Sequence, residues 1–339
     1  MKQTLVTKTD NLLDEFGHLK HPGYAHQLVL KYSRKQVKAS KIRIKEWDYY
    51  FFGNDQYGIS FAIADNSYMG LIGATFFDFQ KGLKYDNKKI LLFPFGKLKM
   101  PNDSMVGDIN YTANKVKFKV KLKEKTREIF IHFPNFYKKK PLTITLEVHY
   151  TNKDSLVIMT PFKEDPKAFY YNQKINNLIA SGEVIFGEET YQFSNEQGVL
   201  DWGRGVWTKD NTWYWSSLST ILKDGSSFGF NLGYGFGDLS SASENMAFYQ
   251  GKAYKLNDVD FGLNKEDILK PWNFTSKDKA IKMTFTPLYD NRTDINLVFL
   301  KQDAHQVFGY FDGYLQISKD KKIKLEKAFG FAEKVRNVW

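Results

Sequence analysis

Two carboxylates and an arginine stand in an unusually aromatic stretch between residues 200 and 245. Asp201 and Arg204 lie in Leu200-Asp201-Trp202-Gly203-Arg204-Gly205-Val206-Trp207, and Glu244 lies in Ser243-Glu244-Asn245. A carboxyl in apolar surroundings is a candidate general acid or base, because burial penalises the charged form and moves its proton affinity towards neutrality. Asp201 and Glu244 are therefore the candidate catalytic residues. Arg204 has two readings. Its fork can clamp Asp201 across a sharp turn, or it can hold an anionic or oxygenated ligand group. Both stay open, since a charge in so apolar a segment needs a partner either way.

The surroundings suit a ligand with apolar surface. Trp202, Trp207, Trp213 and Trp215 crowd the same stretch, and Trp213 and Trp215 share a strand face. Indole rings stack on sugars or enclose apolar molecules, and they also pack cores. From Phe228 to Phe236 the chain alternates. Phe228, Phe230, Leu232, Tyr234 and Phe236 fall on one face, and Gly229, Asn231, Gly233 and Gly235 on the other. So small a face lets a backbone, a ring or a ligand lie against the sheet. The candidate ligand contacts are thus Arg204, Trp207, Trp213, Trp215, Asn231, Tyr234 and Asn245. Asp48 joins them if the two halves of the chain pack pseudo-symmetrically; a solvent-facing strand aspartate is the alternative.

Three functions fit. One perturbed acid serves hydration, dehydration, isomerisation or cyclisation of a small, partly apolar molecule. Two carboxylates beside a tryptophan platform serve glycoside hydrolysis. A non-catalytic lipid or small-molecule carrier would use the rings alone. Other classes lack their residues. With no cysteine there is no disulfide, thiolate metal site or cysteine nucleophile. Serine-hydrolase, P-loop, zincin and EF-hand patterns are missing. Gly233 to Gly237 has the wrong spacing for a dinucleotide loop. His18, His21 and His26 sit close together on a turn-rich arm and make a weak metal set, so no metal or cofactor is expected.

The elements that must position these residues are strands. Alternation and turn residues predict strands over 41–52, 57–64, 68–79, 90–95, 115–122, 128–133 and 143–150, after an irregular arm over residues 1–24. Residues 24–35 are left open between strand and amphipathic segment. Pro161, Pro166 and the charges of Lys163, Glu164 and Asp165 suggest a crossover between an N-terminal half, 1–165, and a C-terminal half, 166–339. Further strands are expected over 181–186, 190–193, 228–236, 246–249, 253–256, 281–287, 296–299, 306–317 and 323–331, with one or two short helices. Trp47-Asp48-Tyr49-Tyr50 with its returning strand is echoed by Trp213-Tyr214-Trp215 and the strand after it, a weak internal repeat.

Charge narrows the partners. Lys and Arg total 49 against 38 Asp and Glu, a net charge of +11. The lysines are spread out: Lys115, Lys117, Lys119, Lys121 and Lys123 alternate with apolar residues as the wet face of a strand. Attraction to an anionic membrane surface is the lesser reading, and no nucleic-acid motif accompanies the charge. No apolar run approaches the roughly 18 residues of a membrane span, and no h-region follows Met1, so a cytoplasmic protein is expected.

The runs Arg43-Ile44-Lys45-Glu46-Trp47-Asp48-Tyr49-Tyr50, Ala168-Phe169-Tyr170-Tyr171-Asn172-Gln173-Lys174-Ile175-Asn176 and Leu200 to Trp207 resemble the bacterial family called domain of unknown function 2804. Asn211 to Trp215, Phe228 to Asp238 and Lys270-Pro271-Trp272 resemble it too, in order along nearly the whole chain. More distantly, the architecture is similar to tandem lipocalin-like proteins such as hydroxyneurosporene synthase. That resemblance implies an all-β fold of two lipocalin-like antiparallel β-barrel or curved β-sandwich halves packed together, with a ligand in or between them. No catalytic residue is carried over from it.

Overall fold

The computed structural model describes residues 3–296 and 300–339. Antiparallel strands dominate, arranged in a 12-stranded and a 9-stranded sheet. The larger sheet runs from an edge at Leu83–Leu92 through Met69–Asp78, Tyr57–Asp65, Ile44–Gly53, Glu189–Val206 and Asp165–Phe186 to Lys140–His149 and beyond. In the smaller sheet, Ser227–Tyr234, Asp210–Ile221, Lys321–Val338, Lys301–Ser318 and Ile281–Asn296 lie side by side in that order. Among the described residues the only helices are 3-10 turns at Arg34–Gln36 and Lys41–Arg43.

Side-chain alternation explains why these segments are strands. In Val116–Leu122, Val116, Phe118 and Val120 are buried and the lysines between them are exposed. Each sheet curls around its own apolar core. One is centred on residues such as Phe61, Phe118 and Trp202, the other on Phe230, Trp272 and Phe311. A third, aromatic layer lies where the two sheets pack against each other, built from Phe51, Phe77, Phe79, Val199, Trp215, Phe308 and Phe331. Burying each such side chain stabilises the packing by roughly 1.5–3 kcal/mol.

The structure redraws several boundaries. The segment from Pro161 to Pro166 is no crossover: Leu156–Phe162 pairs in a hairpin with Asp165–Phe186, and Pro161 sits opposite Phe169. The chain passes from one sheet to the other between Val206 and Asp210, so the point at 165/166 falls inside the first sheet. Proline and charge mark a hairpin turn as readily as a linker, and that ambiguity misplaced the boundary. Residues 24–35 hold two short strands, Gly23–Ala25 and Leu30–Lys31. The glycine-rich strand stops at Tyr234, because Gly235 and Gly237 adopt φ of 93° and 73°. The last strand continues past Phe331 to Val338. The strand expected over 296–299 lies, beyond Asn296, outside the described residues.

One irregularity ties the sheets together. Asp165–Phe186 shifts register between Ile175 and Leu178, extruding Asn176 and Asn177. The Asn176 amide donates to Ser217 Oγ (2.8 Å) and the Phe230 carbonyl (2.9 Å) of the second sheet. The Asn177 backbone N–H donates to Ser219 Oγ at 2.9 Å.

Candidate active site between the sheets

Tyr49, Asp201 and Lys174 stand directly opposite one another on three adjacent strands of the first sheet. Directly opposed residues of antiparallel strands share a face. On the second sheet, Gly233, Trp215, Glu333 and Gln306 form the corresponding row. The rows meet. Lys174 Nζ lies 3.8 Å from the centre of the Trp215 ring, and Gln306 Nε2 donates to Tyr49 Oη at 2.9 Å.

Lys174 Nζ pairs with Asp201 Oδ2 at 2.8 Å, and Asn172 Nδ2 donates to Asp201 Oδ1 at 2.5 Å. Gln306 Nε2 also donates to Glu333 Oε1 at 2.7 Å. Glu244 enters from the loop after the glycine-rich strand. It lies against Gly233: a Cβ built there would be in ordinary contact with Glu244 Cβ (3.4 Å) and Oε2 (3.6 Å), and closer to the Tyr214 carbonyl (3.1 Å). The loop is pinned on both sides. Asn231 Nδ2 donates to the Glu244 carbonyl at 2.7 Å, while Asn231 Oδ1 accepts the Trp215 indole N–H at 2.6 Å. Asn245 Oδ1 accepts the Gly233 N–H at 2.8 Å. Beneath, Lys255 Nζ donates to the Ser243 and Asn245 carbonyls at 2.9 and 2.7 Å.

Burial sets the electrostatics. It lifts the Glu244 carboxyl to about 7, with Lys174 opposing and the Asp201 charge adding. Burial likewise lifts Glu333 to about 8, again opposed by Lys174 and reinforced by Asp201. The phenols of Tyr170 and Tyr49 are pushed up mainly by the same loss of water. Burial lowers Lys255 to about 7, with Glu244 and Asp258 opposing. Near neutral pH the cluster therefore holds one tight ion pair, a Glu333 carboxyl that mostly keeps its proton and a Glu244 carboxyl close to its midpoint, an arrangement able to give and take protons.

An aromatic box closes one end. Trp47 meets Trp207 edge-on at 5.2 Å, and Phe236 packs against Tyr170, Trp207 and Trp213 at 4.7, 4.8 and 5.5 Å. Gly203 makes this possible, because a Cβ there would sit 1.9 Å from the Trp47 ring. The Trp207 indole N–H is buried without a partner. Outside Phe236 lies a groove of about 320 Å³ bordered by Phe162 to Glu164, Thr208 to Thr212 and Gly235 to Leu239.

The structure thus gathers Asp201, Glu244, Trp215, Asn231 and Asn245 in one cluster, with Trp207 and Trp213 at its end. Arg204 and Asp48 lie elsewhere. Arg204 is three residues from Asp201 in the same strand and so points to the opposite face. There, inside the first sheet, Arg204 Nη1 pairs with Asp48 Oδ1 at 3.0 Å and also bonds the Trp47 carbonyl (2.8 Å), while Nη2 bonds the Pro101 carbonyl (2.8 Å). No Asp201–Arg204 clamp forms. Tyr234 stacks on Tyr214 at 4.5 Å within the second core. His18, His21 and His26 pair with three separate aspartates, Asp14, Asp10 and Asp154. Sequence reasoning missed Lys174, Glu333, Gln306, Tyr49, Tyr170 and Lys255. A signal existed for two of them. Lys174 interrupts an otherwise apolar and amide-rich strand, and Glu333 shares its face with Phe331 and Val335.

Comparison with known proteins comes at the level of fold. A Nitrosomonas europaea protein assigned to AttH is 13% identical and has a TM-score of 0.54, the match covering 90% of this chain and 96% of that one. Kievitone hydratase from Nectria haematococca is 10% identical with a TM-score of 0.53, covering 87% and 88%. No curated protein matches the chain in sequence. The family Domain of unknown function (DUF2804) matches residues 3–339, and the chain belongs to it.

Proposed function

We propose that the chain is an acid–base enzyme of hydratase, dehydratase or isomerase type, acting on a small, partly apolar molecule bound between the sheets. The observation that supports this most is the pair of buried carboxyls, Glu244 and Glu333, raised to about 7 and about 8 beside a Lys174–Asp201 ion pair. In this reading a protonated glutamic acid delivers its proton to a double-bond carbon or a leaving hydroxyl of the substrate. The aromatic face of Trp213 shelters the positive charge that develops, the Trp215 ring being already paired with Lys174. Asp201, oriented by Lys174 and Asn172, takes the balancing proton from water or from the neighbouring carbon. The fold shared with a hydratase is compatible with this chemistry and does not by itself assign it.

The test begins with native mass spectrometry of gently purified protein, to catch a co-purifying small molecule, which is then offered to the wild type and to Glu244→Gln and Glu333→Gln. The reading expects turnover by the wild type and a loss of at least about a hundredfold in one of the variants, the scale of general acid catalysis. Undiminished turnover in both variants would rule it out. A bound molecule that the wild type never alters, with affinity untouched by either variant and weakened by Trp213→Ala, would mark a carrier instead.

A further inference from the structure

The end of the molecule where the groove opens carries a feature that the cluster does not use. Leu83–Leu92 is the edge strand of the first sheet and runs through Phe93 and Pro94 into a turn over residues 95–98. Its partners fix its place. Leu92 pairs with Met69, Asp65 with Glu46, Ile44 with Val206, and Val206 with Phe169. The turn therefore lies at the same end of the sheet as Phe162 to Glu164 and Thr208 to Thr212, which border the groove.

Of the thirteen large apolar side chains exposed among the described residues, six (Ile90, Leu92, Phe93, Phe95, Met105 and Val106) fall between residues 90 and 106. Leu92 is 77% exposed, Phe93 58% and Phe95 45%, which is too much for side chains escaping from a core. Their backbone holds them out. Phe93 and Phe95 have φ of 52° and 48°, a region that bulky residues avoid at a cost of order 1–3 kcal/mol each. The Phe93 and Phe95 N–H groups donate to the Tyr68 and Ser67 carbonyls at 3.0 and 3.2 Å, and the Gly96 N–H to Asp65 Oδ2 at 2.8 Å. The turn is thereby fixed, with its two rings stacked 6.2 Å apart in water.

The exposed charge along this stretch of chain has one sign, Asp65 being buried beneath it. Lys88 and Lys89 precede the apolar tip, Lys97 and Lys99 follow it, all are exposed, and no acidic residue occurs between Asp86 and Asp103. Ile42, exposed between Lys41 and Arg43, is adjacent, since Lys45 Nζ donates to both the Ile42 carbonyl (3.4 Å) and the Asn66 carbonyl (3.3 Å). Projecting apolar side chains within a collar of lysines are the chemistry that meets an anionic bilayer. The rings enter the headgroup region and the ammonium groups meet lipid phosphates.

We propose that this end of the molecule docks on an anionic lipid bilayer through Leu92, Phe93 and Phe95, with Lys88, Lys89, Lys97 and Lys99 as the electrostatic collar. The docking stands without the catalytic reading. Its consequence rests on that reading: the substrate is a lipid-soluble molecule that reaches the groove from the membrane.

The test is co-sedimentation of the full chain with phosphatidylcholine vesicles, with and without phosphatidylglycerol. Binding to the anionic vesicles is expected at low salt. It should weaken as the screening length shrinks to about 10 Å near 0.1 M salt. Phe93→Asn with Phe95→Asn should reduce binding roughly tenfold or more. Because asparagine tolerates the left-handed region, this variant should melt at the same temperature as the wild type or higher. Lys97→Glu with Lys99→Glu should erase the preference for phosphatidylglycerol. No binding to anionic vesicles at low salt, or binding unchanged in the phenylalanine variant, would overturn the proposal. Concentration-dependent self-association that this variant abolishes, without vesicle binding, would reassign the face to a second copy of the chain. None of these outcomes bears on Glu244 and Glu333, whose protonation is read without lipid.

Discussion

Glu244 and Glu333 share a site with Asp201, and three charged carboxylates facing Lys174, with Lys255 also near Glu244, would leave uncompensated negative charge far from water. Protonation relieves it, and the shift has a sign that can be measured. Both groups are raised from an ordinary value of 4.5 to about 7 and about 8. Between about pH 4.5 and 8 the folded state thus binds more protons than the unfolded state, and stability falls as pH rises through that window. Lys255 acts in the opposite direction above it, being lowered from 10.5 to about 7, so its penalty fades as pH rises from about 7 towards 10.5. Melting curves of Glu333→Gln and the wild type should therefore converge near pH 5 and diverge by pH 8, with the variant the more stable there. Parallel curves across that range would show that Glu333 titrates normally. The ion pair offers a second test at this scale. Lys174→Met leaves Asp201 buried with only Asn172 for company and should cost about 3–5 kcal/mol. Adding Asp201→Asn should recover much of that loss, as a denaturant titration of both variants would show.

At the scale of the strand, glycine and register decide what the cluster can be. Gly203 leaves the Trp47 ring lying across the Glu189–Val206 strand, so Gly203→Ala must push that ring out of the aromatic box. A cost of about 1–3 kcal/mol is expected, together with a change in tryptophan fluorescence. An unchanged emission spectrum would mean that the ring was never seated there. The register also explains what could be read in advance. Strict alternation made the strands legible, and the small face of Ser227–Tyr234 does receive side chains from elsewhere. Glu244 lies against Gly233, and a Cβ at Gly229 would lie 2.0 Å from Asn177 Oδ1. The same parity could have separated Asp201 from Arg204, because an odd spacing in a strand puts two side chains on opposite faces. Lys174 was not legible as a partner for Asp201, since pairing between strands depends on a register that the bulge at Asn176 and Asn177 resets.

Across the whole molecule, the cluster exists only because two separately cored sheets pack face to face. Tyr49, Asp201 and Lys174 come from one and Trp215, Glu333 and Glu244 from the other, so neither sheet alone makes a site. The fold class was legible because each sheet reports itself through its own alternation. The place where the chain changes sheets was not, because the short link between Val206 and Asp210 has no compositional mark, whereas the hairpin near Pro161 and Pro166 has a conspicuous one. The joint can be tested through Asn176, whose amide bridges to Ser217 and the Phe230 carbonyl. Asn176→Ala should cost about 1–3 kcal/mol through the acceptors left unpaired, and hydrogen exchange should quicken at Ser217 and Leu218 on the far sheet. Protection there equal to the wild type would show that the bridge carries no load. Among the described residues no helix is long and apolar enough to cross a membrane.

The central claim is that two buried carboxyls between the sheets still hold protons near neutral pH, Glu333 for the most part and Glu244 in part. Infrared difference spectroscopy in the carboxyl C=O stretching region reads this directly, comparing the wild type with Glu244→Gln, Glu333→Gln and the double variant near pH 7. The account predicts a protonated-carboxyl band that shrinks in each single variant, disappears in the double variant and titrates away as pH rises past about 8. A spectrum near pH 7 with no such band, the same in all four proteins, would contradict it.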